Sequence, residues 1–392
     1  MTDRLARQFA FLNTADRLKS VDRANVLMDG SRPENSAEHS WHLALWALAM
    51  APEFDTEPLD LPRVIAMLIL HDLVEIDVGD QPIHLDHDRE ALALAEAAAA
   101  RRLFGLLPDD QAAAFLALWQ EFEAAQTPEA QLAKRLDHAQ PLFQVLDASA
   151  APAEHHGVVR ENLTTGRAAR LAQEWPALHA RAGAQLAGQP VPGGDLAQRL
   201  AFLAEADRLK SVYRATTLCD GSRRENSGEH SWHLALYALV LGDQAAAGVD
   251  ASRVVQMLLI HDLVEIDVGD VPIHSANGQA HASLDTQTAE AAAADRLFGL
   301  LPAAQGQALR ALWDEFEAAQ TPDAVFAKAL DRVQPVMANL MSGGGTWITY
   351  NVTLPQLQTR VGQKVARGAP ALWDWVLAQA RPYFDGSTQT GG

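Results

Sequence analysis

Apolar residues recur at three- and four-residue spacing through most of the chain. This is the period of helices that bury one face, and it predicts helices over 9–21, 36–50, 61–78, 89–106, 110–125 and 128–146. Thr127-Pro128 and Thr321-Pro322 each offer a capping hydroxyl followed by a proline suited to the first helical position. No alternating valine-rich strands stand out. The expectation is therefore all-α, with roughly six or seven helices in each bundle.

Two of the most apolar stretches, Val64 to Leu70 and Val254 to Ile260, run straight into one repeated decapeptide. His71-Asp72-Leu73-Val74-Glu75-Ile76-Asp77-Val78-Gly79-Asp80 returns without a change as 261–270. Ionisable groups set in an apolar helix lose hydration unless a metal or a partner compensates them. The repetition extends well beyond this segment: residues 11–46 align with 202–237, with 27 of 36 positions identical. The offset drifts from 191 to 190 and then to 194, which places an insertion between His84 and Arg102. A period near 190 is too long for a solenoid, so this is duplication of a whole domain. The expected division is a first copy over 1–182, a Gly/Pro linker over 183–195, a second copy over 196–384 and a disordered tail over 385–392.

A net charge of −19 disfavours a surface for nucleic-acid polymers, which need clustered Lys and Arg. It leaves room for a small anionic ligand, because a bound cation and one or two arginines reverse the local field. No apolar run reaches the ~20 residues of a membrane span. The first residues lack the apolar core of a signal peptide, so the expected compartment is the cytoplasm. Cys219 is the lone cysteine and aligns with Met28, which marks it as a core filler.

A metal needs several donors, so each His-Asp pair has to recruit others. Upstream stands Glu34-Asn35-Ser36-Ala37-Glu38-His39, repeated as Glu225-Asn226-Ser227-Gly228-Glu229-His230. Downstream, His138 becomes Arg332 whereas Asp137 survives as Asp331, so the carboxylate is the better ligand candidate. Glu75 follows His71 by four residues and would share its face on a regular helix. Gly79 is a natural helix terminator and leaves Asp80 on the loop beyond it. Phosphate needs a cationic partner besides a metal, and arginine offers it a bidentate fork, with Lys19 and Lys210 as secondary candidates. Arg32 and Arg223, beside Glu34 and Glu225, are expected to form structural ion pairs, and Asp77 to be structural.

The ordered set Arg-Leu-Lys-x-Val-x-Arg, Glu-Asn-x-x-Glu-His, His-Asp-x-x-Glu-x-x-x-Gly-Asp and Leu-Asp, present twice, resembles the HD superfamily of metal-dependent phosphohydrolases. It is most similar there to the bacterial 5'-deoxynucleotidases and their eukaryotic relatives. The resemblance implies metal ligation by His39, His71, Asp72 and Asp137, and by His230, His261, Asp262 and Asp331. It implies one divalent transition metal per domain, from among Mn, Co, Fe, Ni and Zn. Glu75 and Glu265 are implied in acid/base work, Arg23 and Arg214 in phosphate contact, and Asp80 and Asp270 in contact with the sugar 3'-hydroxyl. The implied reaction is removal of the 5'-phosphate from (deoxy)nucleoside monophosphates. Ala24 and Ala215 depart from the family, which often has a bulky aromatic after the arginine, and this bears on base and sugar preference.

Two rival readings remain. His84 and His87, against His274 and His281, would suit a dinuclear-iron HD oxygenase or a second-messenger phosphohydrolase. A sensor that binds nucleotide without turnover is the non-enzymatic alternative. Duplication within a group that commonly forms two-fold dimers also predicts a pseudo-dimer inside one chain, and leaves higher assembly open.

Overall fold

The computed structural model describes residues 2–54, 59–81, 88–149, 151–275 and 283–387. Two helical halves repeat one order of elements. In the first half, Thr2–Ala15 leads through a 3-10 turn into the hairpin of β1 (Asp22–Val26) and β2 (Pro33–Asn35). The helices Ser36–Met50, Leu61–Leu70, Arg89–Phe104, Asp109–Ala124 and Pro128–Leu146 follow, and Ala153–Thr164 and Pro176–Leu186 close the half. In the second half, Asp195–Ala206 precedes β3 (Tyr213–Thr217) and β4 (Arg224–Asn226). The helices Ser227–Leu241, Ala251–Ile260, Leu284–Phe298, Ala303–Ala318 and Pro322–Met341 match those of the first half, and Pro370–Ser387 is the last described helix.

The architecture is all-α apart from the two hairpins, which depart from the expectation of helix throughout. Each hairpin pairs a five-residue strand with a three-residue one, too short to leave an alternating signature. Its turn is set locally: Gly30 takes φ 72°, and Asp29 Oδ1 accepts from the Ser31 amide at 2.8 Å. The predicted 61–78 helix is also interrupted. Regular α-helix ends at Leu70, His71–Val74 forms a 3-10 turn, and Glu75–Val78 adds one α-turn up to Gly79. The break coincides with a side-chain bond from His71. Its Nδ1 takes the Leu68 carbonyl at 2.8 Å, the acceptor that an α-helix would offer to the Asp72 amide.

The segment expected to be linker is partly helical, with residues 183–186 ending one helix and Asp195 opening the next. The last helix passes Phe384, so 385–387 are helical rather than a disordered tail; residues 388–392 lie outside the described residues.

The two halves pack through Ser36–Met50 and Ser227–Leu241, which lie against each other at the centre. Every residue of Ser36–Met50 is buried, which explains why it is apolar on nearly all faces. The bonds across this contact come in reciprocal pairs. Asn35 Nδ2 donates to Glu229 Oε1 at 2.7 Å and Asn226 Nδ2 to Glu38 Oε1 at 2.6 Å. The His42 ring meets the Leu203 carbonyl at 3.0 Å, and His233 meets that of Leu12 at 3.0 Å. The Met28 amide donates to Asp207 at 2.8 Å and the Cys219 amide to Asp16 at 2.7 Å. Such i-to-j and j-to-i exchange is the mark of a two-fold interface, here formed within one chain.

Candidate metal centres

Each centre is assembled from three helical segments. His39 sits in the first turn of Ser36–Met50, where a capping box between Asn35 and Glu38 pins the helix start. His71 and Asp72 occupy the 3-10 turn, and Asp137 lies within Pro128–Leu146. His39 Nε2 stands 3.3 Å from Asp137 Oδ1 and 4.0 Å from Asp72 Oδ2. His71 Nε2 stands 3.1 Å from Asp72 Oδ1 and 3.9 Å from Asp137 Oδ1. The second half reproduces this: His230 Nε2 to Asp331 Oδ1 is 3.3 Å, His230 Nε2 to Asp262 Oδ2 is 4.0 Å, and His261 Nε2 to Asp262 Oδ1 is 3.0 Å.

These donors fit a metal. Ligands ~2.1 Å from an ion place neighbouring donor atoms roughly 3 to 3.5 Å apart. In each half the donor atoms of the two histidines and the distal aspartate lie within 4.8 Å of one another. The buried His71 Nε2 and His261 Nε2 have no hydrogen-bond partner. Because a carbonyl can only accept, the Leu68 and Leu258 bonds place the proton on Nδ1 and leave Nε2 with a free lone pair toward the cluster. Trp119 and Trp313 hold the His71 and His261 carbonyls at 3.2 and 3.1 Å.

Arg23 reaches in from β1, and the carboxylates of the repeated segment converge on its Nη1: Asp72 at 2.9 Å, Asp80 at 3.6 Å and Glu75 at 3.7 Å. Around Arg214 the same distances are 2.7, 3.8 and 3.6 Å, for Asp262, Asp270 and Glu265. In a 3-10 turn residues three apart eclipse, so Glu75 sits beside Asp72 rather than beside His71 as a regular helix would have it. Burial, and next the Asp72 charge, pushes the Glu75 carboxyl well above its ordinary value, with Arg23 opposing. Glu265 behaves alike beside Asp262. Both glutamates accept a short bond from a serine hydroxyl, Ser36 or Ser227. Asp77 turns away to an exposed pair with Arg102, as a structural residue should.

Several secondary candidates lie elsewhere. Lys19 and Lys210 are fully buried and face the opposite half, so they are not phosphate contacts. Arg32 and Arg223 do form structural pairs, but with Glu38 and Glu229 rather than Glu34 and Glu225. Cys219 is buried, as a core filler should be. The His274 ring lies tilted beside Tyr350 with its Nδ1 3.3 Å from Arg360 Nη1, and it is not among the metal-competent groups of the described residues. His84, His87 and His281 lie outside the described residues. Sequence reasoning gave Glu34 and Glu225 no role at the site. Their Oε2 and Oε1 face His39 Nδ1 and His230 Nδ1 at 3.7 and 3.4 Å. Repetition, and their place at the head of the Glu-Asn-x-x-Glu-His motif, were the signals that marked them.

Each centre opens into a cavity, and the two cavities differ. The first measures about 370 Å³ and is lined by His138, Leu142, Val145, Asn162 and Arg167. The second measures about 90 Å³, with Arg332, Val336, Asn339, Trp347 and Tyr350 in the corresponding wall. Among the described residues no helix is long and apolar enough to cross a membrane.

Residues 15–179 and 206–373 each match the HD domain family. The chain therefore belongs to that family, within the HD-type metal-dependent phosphohydrolases, and carries the domain twice. It is 31% identical over 146 residues to the 5'-deoxynucleotidase HDDC2 of Bos taurus, a match covering 37% of this chain and 69% of the relative. A 5'-deoxynucleotidase of Erwinia tasmaniensis is 27% identical over 159 residues, covering 39% of this chain and 80% of the relative. Among solved structures, a predicted metal-dependent phosphohydrolase from Magnetospirillum magnetotacticum MS-1 is 43% identical, with 48% of this chain and 95% of that one covered and a TM-score of 0.45.

Proposed function

We propose that the chain is a divalent-metal-dependent phosphomonoesterase that removes the 5'-phosphate of (deoxy)nucleoside monophosphates. One observation carries the reading: in each half a cluster fit for a metal stands directly beside a half-buried arginine and a glutamate whose carboxyl is raised above its ordinary value. His39, His71, Asp72 and Asp137 would hold one ion, and His230, His261, Asp262 and Asp331 the other. When bound, such an ion supplies Lewis acidity toward a phosphoryl oxygen and acidifies water.

The chain's own groups do the rest. Arg23 and Arg214 bind the phosphoryl oxygens, where a planar guanidinium offers two parallel donors. Glu75 and Glu265, whose carboxyls burial and the neighbouring aspartate raise, deliver a proton to the departing sugar oxygen. Asp80 and Asp270, on the loop beyond the positive-φ glycines Gly79 and Gly269, accept from the sugar hydroxyl. The substrate class rests on the named relatives and on the family resemblance. Phosphate release from a panel of nucleoside 5'-monophosphates, their 3' isomers and ribo/deoxy pairs tests it after loading with Mn or Co. Release confined to 5'-phosphates is expected, and none from any substrate with any metal would overturn the proposal.

A further inference from the structure

His39 and Arg23 face a single oxygen of one buried carboxylate. Glu34 Oε2 lies 3.7 Å from His39 Nδ1 and 3.9 Å from Arg23 Nε, and none of these three atoms has a hydrogen-bond partner. The position of Glu34 thus sets how the ligand imidazole and the phosphate-side arginine lie relative to each other. A carboxylate behind a ligating histidine fixes the ring's tautomer and orientation.

The other oxygen of Glu34 is held from outside its own half. Lys210 Nζ, fully buried, lies 2.7 Å from Glu34 Oε1 and 3.0 Å from His42 Nδ1, and bonds Asp207 as well. The mirror arrangement is present. Lys19 Nζ lies 3.0 Å from Glu225 Oε2, 2.6 Å from Asp16 Oδ1 and 3.2 Å from His233 Nδ1. Glu225 Oε1 then faces His230 Nδ1 at 3.4 Å and Arg214 Nε at 3.6 Å, and this half adds Gln334, whose Oε1 lies 3.1 Å from His230 Nδ1 and whose Nε2 donates to Glu225 Oε2 at 3.1 Å. Each ammonium fills a three-acceptor pocket assembled from both halves. Glu34, His42 and Asp207 alone would form a metal-competent group, and Lys210 already lies among them.

We propose that Lys210 and Lys19 are positioning residues acting crosswise: the lysine of each half fixes the metal centre of the other, through Glu34 and Glu225 respectively. Neither centre is then complete without the opposite copy, which gives a physical reason for keeping both copies intact. The inference rests on the metal-ligand assignment of the proposed function and is independent of its nucleotide assignment. Without the lysine, Glu34 is a buried carboxylate whose remaining cationic neighbour is Arg23. It will swing toward that arginine or take up a proton, and the negative charge behind His39 Nδ1 is displaced or lost either way.

Single-site chains make the crossing visible. Asp262→Ala leaves only the His39 centre competent, and Asp72→Ala leaves only the His230 centre. Each is titrated with Co²⁺ alone, read by calorimetry and by the visible absorption of the bound ion. Lys210→Met is expected to weaken Co²⁺ about 10- to 100-fold at the His39 centre and less than about twofold at the His230 centre. Lys19→Met reverses the pattern. Lys210→Arg and Lys19→Arg keep the buried charge but displace it from its three acceptors, and they carry the same comparison if the methionine variants do not fold. Glu34→Gln should weaken the His39 centre to a similar degree and be non-additive with Lys210→Met. Equal weakening of both centres, weakening of the lysine's own half, no weakening, or full additivity with Glu34→Gln would each overturn the proposal. Because Co²⁺ binding needs no turnover, a failed nucleotide panel leaves this test standing.

Discussion

The indole Nε1 of Trp41 donates to the Leu259 carbonyl of the other half at 3.0 Å, and Trp232 returns the bond to Ile69 at 3.1 Å. Each acceptor lies two residues ahead of a His-Asp pair. In the second half the Leu263 amide bonds Ile260 rather than Leu259, so the Leu259 carbonyl is a helix-end acceptor that Trp41 satisfies. Trp41→Phe keeps most of the ring and removes the donor. It should cost about 1–3 kcal/mol of unfolding free energy, the range for leaving a buried polar group unpaired. Urea denaturation measures it, and an unchanged midpoint would show that the bond adds nothing.

Metal content follows directly from two clusters. The purified chain should bind two equivalents of Co or Mn, one after Asp72→Ala or Asp262→Ala, and none after both. Elemental analysis counts them. Four equivalents in the unaltered chain would instead support dinuclear centres.

Glu75 and Glu265 stand beside the clusters without being ligands. Glu75→Gln in the Asp262→Ala chain should retain its metal while kcat falls about 10²- to 10⁴-fold, the usual worth of a positioned proton donor. Loss of the metal along with activity would reassign Glu75 as a ligand.

The two cavities differ about fourfold in volume and in the side chains of one wall. Pockets for small molecules usually exceed about 300 Å³. The Asp262→Ala chain, which retains the larger cavity, should therefore show the lower KM for nucleoside 5'-monophosphates. The Asp72→Ala chain should favour compact phosphomonoesters. Identical KM profiles would refute this division of labour.

The buried His42 and His233 imidazoles lower stability on acidification, against the opposite contribution of the raised Glu38, Glu75 and Glu265 carboxyls. Burial, together with the adjacent Lys210 or Lys19 ammonium, lowers the His42 and His233 imidazoles to about 3 from an ordinary 6.5. Between those values the unfolded chain binds more protons than the folded one. The stabilisation is thus complete above about pH 6.5 and is lost as pH falls toward 3. Each histidine contributes a slope of up to ~1.4 kcal/mol per pH unit. Asp16 and Asp207 also sit below their ordinary values, which adds the same sign at lower pH. Urea midpoints from pH 7 to 4.5 test this, with His42→Gln giving the shallower profile. Parallel profiles for the two chains would contradict it.

Much of the architecture was legible because it is local or repeated. The helices Ser36–Met50 and Pro128–Leu146 match their predicted spans, since periodicity, the capping box and the Thr-Pro start all act within a few residues. Hairpin strands of three to five residues were too short to register. The 3-10 turn at His71, where the ring bonds the Leu68 carbonyl, was hidden because apolar periodicity does not report a change of helix type over four residues.

The sequence by itself determined that there are two copies, that each is helical, and which histidines and carboxylates recur as a set. Those properties depend on residue type, spacing and repetition. Only the tertiary structure decided what each charged side chain faces. It turned Lys19 and Lys210 away from phosphate and into the opposite half, moved the partners of Arg32 and Arg223 to Glu38 and Glu229, and set Glu34 and Glu225 between a ligand histidine and an arginine. The reason is physical. A buried charge is tolerated only where its partners converge, and for Lys19 and Lys210 those partners include glutamates 206 and 176 residues away in the chain.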